Sequence, residues 1–261
     1  MSRYFLEVSY KGTEYSGFQI QKNANSIQAE MEKALDIYFH VTSAQRAGEQ
    51  GVKLVCSSRT DTGVHALQNF FHFDWDEMIP HTFLYNINAL VSPDIAVKNI
   101  FLVPANASSR FDAISREYNY YVYRRKNPFI RDLAYYFPYT LDAQKLSAAA
   151  GIISSYTDFT SFSKRNTQVK NFNCTIHHSK WIQEKDCWVY QVKANRFLRG
   201  MVRGLTATML QLGRGKLELS DFEKIIQGRD CTKADFSVPG YGLFLVRVNY
   251  PDGLLTPLQP L

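Results

Sequence analysis

Residues 52–75 read VKLVCSSRTDTGVHALQNFFHFDW. The apolar run at residues 52–57 predicts a strand. It breaks into a polar loop, Ser58 to His65, and a second strand follows with Phe71, Phe73 and Trp75 on one face. The loop sets the Asp61 carboxylate beside the Arg59 guanidinium, among small residues and a glycine. That arrangement suits an ionised Asp kept available at the floor of a cleft by a cationic neighbour. An Asp in such a loop also serves as a turn or cap residue, so spacing alone leaves both roles open.

Working outward, residues 3–10 alternate as a strand and end in the turn-prone Lys11-Gly12-Thr13. Asn25 or Ser26 caps a helix whose apolar face is Ile27, Met31, Ala34, Leu35 and Tyr38. Pro80 opens a helix towards Leu90, and residues 95–103 read as a strand. The second half repeats these ingredients. Tyr118, Tyr120 and Val122 share one face of a strand, and residues 142–153 form an Ala-rich helix. Residues 175–182 and 187–193 pair across a turn at 183–186. The pattern predicts a longer helix over 195–212, stopped by Gly213, which sets Arg196, Arg199 and Arg203 on one face. Ser220 and Glu223 form a capping box, and a last strand covers 243–248. Strands and helices mixed with hairpins argue for an α+β fold, with a boundary near residues 105–115. The polar segment 163–173, with Lys164, Arg165 and Lys170, reads as a flexible basic loop.

The composition is that of an ordinary globular chain, 45% hydrophobic and 21% charged over 261 residues. The net charge of +6, from 30 basic against 24 acidic side chains, suits a polyanionic partner. Sixteen Tyr and 18 Phe offer flat faces for unstacked bases, although most are needed for the core. Cys56, Cys174, Cys187 and Cys231 form no C-x-x-C pair, which argues against a zinc or redox motif and for reduced, buried thiols. Neither a signal peptide nor a membrane span is recognisable, so a cytoplasmic protein with no membrane partner is expected. Nucleotide-binding glycine loops, a serine nucleophile elbow and a zinc-protease helix are all missing. His177 and His178 point to opposite faces of a strand, and His65 and His72 lack a nameable partner for base chemistry. A lone carboxylate in this setting fits covalent or electrostatic chemistry on a bound substrate.

Six segments, in order, resemble the signatures of the tRNA pseudouridine synthase A (TruA) family. They are Tyr10-x-Gly12-x-x-Tyr15-x-Gly17-Phe18-Gln19, Arg59-Thr60-Asp61-x-Gly63-Val64-His65-Ala66 and Ser115-Arg116-Glu117-Tyr118-Asn119-Tyr120. Asp158-Phe159-Thr160-Ser161-Phe162, Asn195-x-Phe197-Leu198-Arg199-x-Met201-Val202-Arg203 and Gly242-Leu243-Phe244-Leu245-Val246 complete the series. Together they cover roughly residues 3–250.

The resemblance implies two ferredoxin-like halves, 1–110 and 111–261. Their sheets would join into one mostly antiparallel sheet with helices on one side and a basic cleft between the halves. It implies an isomerase converting uridine to pseudouridine at tRNA positions 38, 39 and 40, working as a homodimer without metal or cofactor. Asp61 would be the nucleophile, Tyr118 would stack on the extruded base, and Arg203 would keep Asp61 ionised. Leu243 would floor the base pocket, and Arg110 would intrude into the RNA when the base flips. Arg59, Gln19, Lys164, Arg165 and Arg199 would contact the substrate. Thr62, Ser58, Phe18 and Gly200 depart from the family pattern; the first two adjoin the catalytic loop, so a target choice different from the archetype's is compatible with the resemblance. The competing readings are a non-catalytic RNA-binding factor on this scaffold, a synthase for another RNA, and an unrelated hydrolase using Asp61.

Overall fold

The computed structural model describes residues 1–47, 51–165 and 169–258. The chain divides into two compact units, Met1–Ile114 with Leu245–Leu261, and Ser115–Phe244. The first carries β1 (Ser2–Tyr10), α1 (Ile27–Tyr38), α2 (Ser43–Ala47), β2 (Val55–Cys56), β3 (His65–Trp75), α3 (Phe83–Leu90) and β4 (Ile95–Val103). The second carries β5 (Ser115–Tyr123), β6 (Tyr135–Tyr136), α4 (Ala143–Ile153), β7 (Ile176–Glu184), β8 (Cys187–Ala194), α5 (Met201–Gly213) and α6 (Leu219–Gln227). Strand β9 (Leu243–Asn249) then leads back to the first unit, where β10 (Thr256–Pro257) is the last described strand. The fold is α+β; β1 pairs antiparallel with β3 and β4, as do β10 with β4, β2 with β3, β5 with β8 and β7 with β8, while β5 with β6 is parallel.

In the first unit β1 is flanked by β3 and β4, with β9 beside β3 and β10 beside β4. The pairings Tyr4–Phe73 and Leu6–Phe71 put these four residues on one face of the sheet. Phe18 and Phe39 pack on that face, 5.0 Å from Phe71 and 5.9 Å from Phe73 between ring centroids. Ile27, Met31, Ala34 and Leu35 of α1 are buried, as the spacing of the helix predicts. Ser26 caps α1 by accepting the Ala29 N–H. Trp75 stacks on Phe39 at 4.0 Å.

The opposite face is covered too. Phe5, Phe70, His72 and Phe101 lie there, and Tyr250 closes over them with ring distances of 5.7 Å to Phe5 and 5.1 Å to Phe70. Tyr250 also donates its hydroxyl to the Ser109 carbonyl at 2.5 Å. Asn249 accepts the Ile114 N–H at 2.8 Å, and Gln68 accepts the Val248 N–H at 3.1 Å. These bonds, with about 2 kcal/mol for each large ring removed from water, hold the C-terminal segment on the first unit. The sequence-based halves run 111–261 together; the chain from Leu245 onward packs instead with residues 1–114.

Three further expectations differ locally. The strand expected over 52–57 pairs only at Val55 and Cys56. The helix expected from Pro80 begins at Phe83. The helix expected over 195–212 begins at Met201, because Asn195 is engaged in pairing and Gly200 turns the chain with φ +76. Asn195 donates its N–H to Thr175 O at 3.1 Å and accepts the Thr175 N–H on its side chain at 2.8 Å. Arg196 and Arg199 therefore precede α5, and Arg203 alone of the three lies on it. The capping box of α6 likewise moves upstream to Glu218 and Asp221, since Ser220 already lies inside the helix. The basic loop expected over 163–173 includes residues 166–168, which lie outside the described residues.

The end of β1 meets the start of β3 with no room to spare. A Cβ on Gly12 would sit 2.0 Å from the Val64 carbonyl oxygen, whereas Gly151, on α4, has nothing within 4 Å. Gly12→Ala is expected to cost about 3 kcal/mol or more, and Gly151→Ala to add about 0.5–1 kcal/mol; urea unfolding of both variants checks the contrast.

His72 is buried in this core, and burial first, then Arg3, lowers its pKa. Its Nδ1 accepts the Ser109 N–H at 3.1 Å. A histidine with a depressed folded pKa is protonated first in the unfolded chain, so its contribution is present above about pH 6.5 and lost as the pH falls below that value. Thermal melts from pH 8 to 5 should show wild type losing more stability on acidification than His72→Asn, which keeps an acceptor but does not titrate.

Candidate active site

The opening motif of the chain is folded onto the Asp61 loop. Phe18 donates its N–H to Thr60 O at 3.0 Å, and Gly63 donates to Tyr15 O at 3.3 Å. Gly17, at φ +96, lies so close that a Cβ there would stand 2.8 Å from Thr60 O. The Tyr10 hydroxyl meets Thr60 Oγ1 at 2.8 Å. Gly12 donates its N–H to His65 Nδ1 at 3.0 Å. His65 is buried, and this contact ties it to the end of β1. The loop also closes on itself, with Val64 N–H donating to Asp61 O at 3.1 Å.

From beneath, Asn69 of β3 donates its side-chain amide to Ser58 O at 2.9 Å and to Tyr10 Oη at 3.2 Å. Asn69 is fully buried among phenylalanines. Sequence reasoning passed over it, although a single amide inside an aromatic strand is a signal, because a buried amide must find partners. The result is a loop whose main chain is tied at Ser58, Thr60, Asp61, Gly63 and Val64. Asp61 itself is half-buried.

Arg59 and Gln19 flank this loop and are exposed. Arg110 is exposed as well, on a turn anchored from several sides. Ser109 donates its hydroxyl to Val55 O at 2.8 Å, Ser108 donates its N–H to Asp112 at 2.8 Å, and Arg3 donates to Ala107 O at 2.7 Å. The Arg110 guanidinium lies 5.3 Å from the ring centre of Phe111. Burial pushes the Cys56 thiol up to about 12 against the pull of Arg59 and Arg110. Both guanidiniums thus lie within electrostatic reach of one thiol, and that thiol is inert.

In the second unit, Tyr118 and Tyr120 share a face of β5. Tyr118 is buried to 8% exposure and meets Phe197 edge-on at 5.1 Å. Tyr120 donates its hydroxyl to Pro239 O at 2.7 Å, beneath Gly242, where a Cβ would strike its ring at 2.7 Å. Arg203 projects from the first turn of α5 and donates through Nε and a terminal nitrogen to Val238 O, at 2.9 and 2.7 Å. Two successive carbonyls, 238 and 239, thus accept from Arg203 and Tyr120, and they fix the segment that leads into Leu243, which is buried. Nothing in the spacing marks Val238 and Pro239 for this role. Lys164 donates its N–H to Arg199 O at 3.0 Å, and its side chain lies across Gly200. Arg199 and Arg165 are exposed.

The structure therefore gathers the expected residues into two sets, one in each unit. Asp61, Arg59, Gln19 and Arg110 belong to the first, and Tyr118, Arg203, Leu243, Lys164, Arg165 and Arg199 to the second. Among the described residues no three His, Cys, Asp or Glu side chains are grouped to hold a metal ion, and no helix is long and apolar enough to cross a membrane.

A family model described as tRNA pseudouridine synthase matches residues 156–251. A protein of Parabacteroides distasonis named tRNA pseudouridine synthase A is 44% identical over 256 residues, covering 97% of this chain and 98% of its own. A protein of the same name from Bacteroides thetaiotaomicron is 40% identical, with 98% and 93% covered. Another, from Staphylococcus aureus, is 34% identical, with 97% and 92% covered. On that identity, sustained over nearly the whole length of both partners, the chain belongs to the tRNA pseudouridine synthase A family.

Proposed function

We propose that this chain converts uridine to pseudouridine in the anticodon stem-loop of tRNA, at positions 38, 39 and 40, with Asp61 as the nucleophile. Its family and its relatives' names make it an isomerase acting on tRNA uridine. The observation that carries the assignment of Asp61 is the way its loop is held. Tyr15, Phe18 and Asn69 bond the loop's main chain, Tyr10 bonds the Thr60 hydroxyl, Gly12 bonds the His65 ring and Gly17 packs on Thr60 O, so the loop that carries Asp61 is held from outside. Such outside support is what a preorganised reactive group requires.

The reaction breaks the N1–C1′ bond, turns the uracil and joins C5 to C1′. The C5 proton is lost and N1 gains one, so the composition of the nucleotide is unchanged and no oxidant, reductant or second substrate enters. Either the Asp61 carboxylate attacks ribose C1′, displaces the uracil and is displaced in turn as C5 bonds to C1′, or it adds to base C6 and is expelled once C5 has bonded to C1′. Tyr118 supplies a ring face for the extruded uracil and an oxygen for the C5 proton. Arg203, anchored on Val238 O, keeps Asp61 ionised before attack, and Leu243 forms the apolar floor. A base inside a stem must first leave the stack, at a cost of a few kcal/mol. Arg110, on its anchored turn and beside Phe111, offsets this by filling the vacated position. Arg59, Gln19, Lys164, Arg165 and Arg199 contact the RNA around the target. The same reading makes the protein a cytoplasmic homodimer with one tRNA spanning both subunits. Thr62 and Ser58, beside the catalytic loop, are where a shift of target among RNA uridines would originate.

Chemical mapping of unmodified tRNA should find pseudouridine in the anticodon stem-loop with wild type. Asp61→Asn should abolish it, by more than about 10³-fold, with tRNA affinity retained. Product at other uridines would move the target, and no product from any RNA would leave a binding factor as the reading. Arg110→Ala should lower kcat/KM on a paired target uridine by about 10- to 100-fold, and a mismatch at that uridine should restore most of the loss. Full activity of the variant on the paired target would remove Arg110 from base extrusion.

A further inference from the structure

The end of α6 carries a feature that helix termination alone does not explain. Gly228 closes the helix at φ −70, donating its N–H to Lys224 O at 2.8 Å. The next residue, Arg229, holds φ +50. This is the left-handed position that glycine ordinarily occupies after a helix, because a side chain there is strained. The chain places its glycine one residue early and an arginine where the strain falls. Strain retained at such a point marks a side chain whose direction matters.

That direction is towards a cavity of about 350 Å³ whose walls include Lys164, Arg165, Phe172, Arg229 and Asp230. Asp158 accepts from Arg229 Nε at 2.9 Å and so orients the guanidinium. Asp158 is itself fixed by accepting from the Thr160 N–H and hydroxyl, at 2.9 and 2.6 Å. Asp230, the one carboxylate in the wall, is turned onto Thr232, whose N–H it accepts at 2.9 Å. Lys164 lines the same cavity, with its side chain lying across Gly200. Phe172 contributes a half-buried aromatic wall. Three cations and a flat apolar face suit an anion joined to a sugar.

We propose that this cavity is a second RNA-contact site, taking one backbone nucleotide of the tRNA with its phosphate on Arg229, Lys164 and Arg165 and its sugar against Phe172. The inference rests on the reading of the chain as a tRNA-modifying enzyme. It adds Arg229 and Phe172 to the substrate contacts and explains the strained backbone.

Arg229→Gly tests it, because glycine relieves the left-handed strain while removing the charge. Fluorescence titration with labelled tRNA, from 50 to 300 mM salt, gives the affinity and its log–log slope. The variant should keep or raise the melting temperature, bind tRNA about three- to tenfold more weakly near 150 mM salt, and show a slope shallower by about one. Lys224→Gln, an exposed cation on the same helix paired to Asp221, should leave affinity and slope unchanged. An unchanged slope in Arg229→Gly overturns the proposal whatever the melting temperature does, and a lowered melting temperature with that slope assigns Arg229 to folding alone. If wild type converts tRNA normally while the slope does not move, only this inference falls. If wild type neither binds nor converts tRNA, the underlying reading falls with it.

Discussion

The close approach of Gly12 to the Val64 carbonyl is the constraint on which the first unit's site depends. With any side chain at residue 12 the end of β1 could not reach the entrance of β3. Gly17, Tyr15 and Phe18 would then lose their hold on Thr60 and Gly63. Glycine is chosen here for the absence of a Cβ rather than for an unusual dihedral, while Gly17 needs both the space and the positive φ. The two glycines in the opening motif therefore do different work on the same eight-residue loop.

The second unit solves a similar problem with a different device. Where the first uses missing side chains, the second uses main-chain carbonyls as receivers. Val238 and Pro239 accept from Arg203 and Tyr120, so one strand, one helix and the connection to β9 share a set of bonds. Arg203 is thereby presented from a helix rather than from a loop, and its position is coupled to that of Leu243 through five residues of fixed backbone. Such support by bonded neighbours is what converts a charge into a positioned one.

Much of this could be read in the sequence because it depends on local spacing. Ile27, Met31, Ala34 and Leu35 recur at helical intervals, and Ser26 caps where it should. Residues 95–103 alternate and pair as a strand of those bounds. The candidate catalytic loop stood out because a charged pair follows directly on an apolar strand. What escaped was non-local or conformational. The second covered face of β3 is created by Tyr250, far along the chain, and no pattern in residues 65–75 announces it. Periodicity starts α5 too early because Gly200 takes a left-handed turn that spacing does not reveal, and Arg196 and Arg199 therefore lie before the helix. Asn69 and the carbonyls of Val238 and Pro239 act through partners whose proximity only the fold supplies.

The return of β9 and Tyr250 to the first unit has a consequence for biosynthesis. A nascent chain emerging from the ribosome can complete Ser115–Phe244 from contiguous sequence, but Phe5, Phe70 and Phe101 keep one side bare until the segment from Leu245 through Tyr250 appears. The earlier half of the protein is thus the later to finish. Its apolar sheet face is the surface that chaperones would guard during translation. Premature termination anywhere before Leu245 would leave the Asp61 loop built on a sheet that is open on one side.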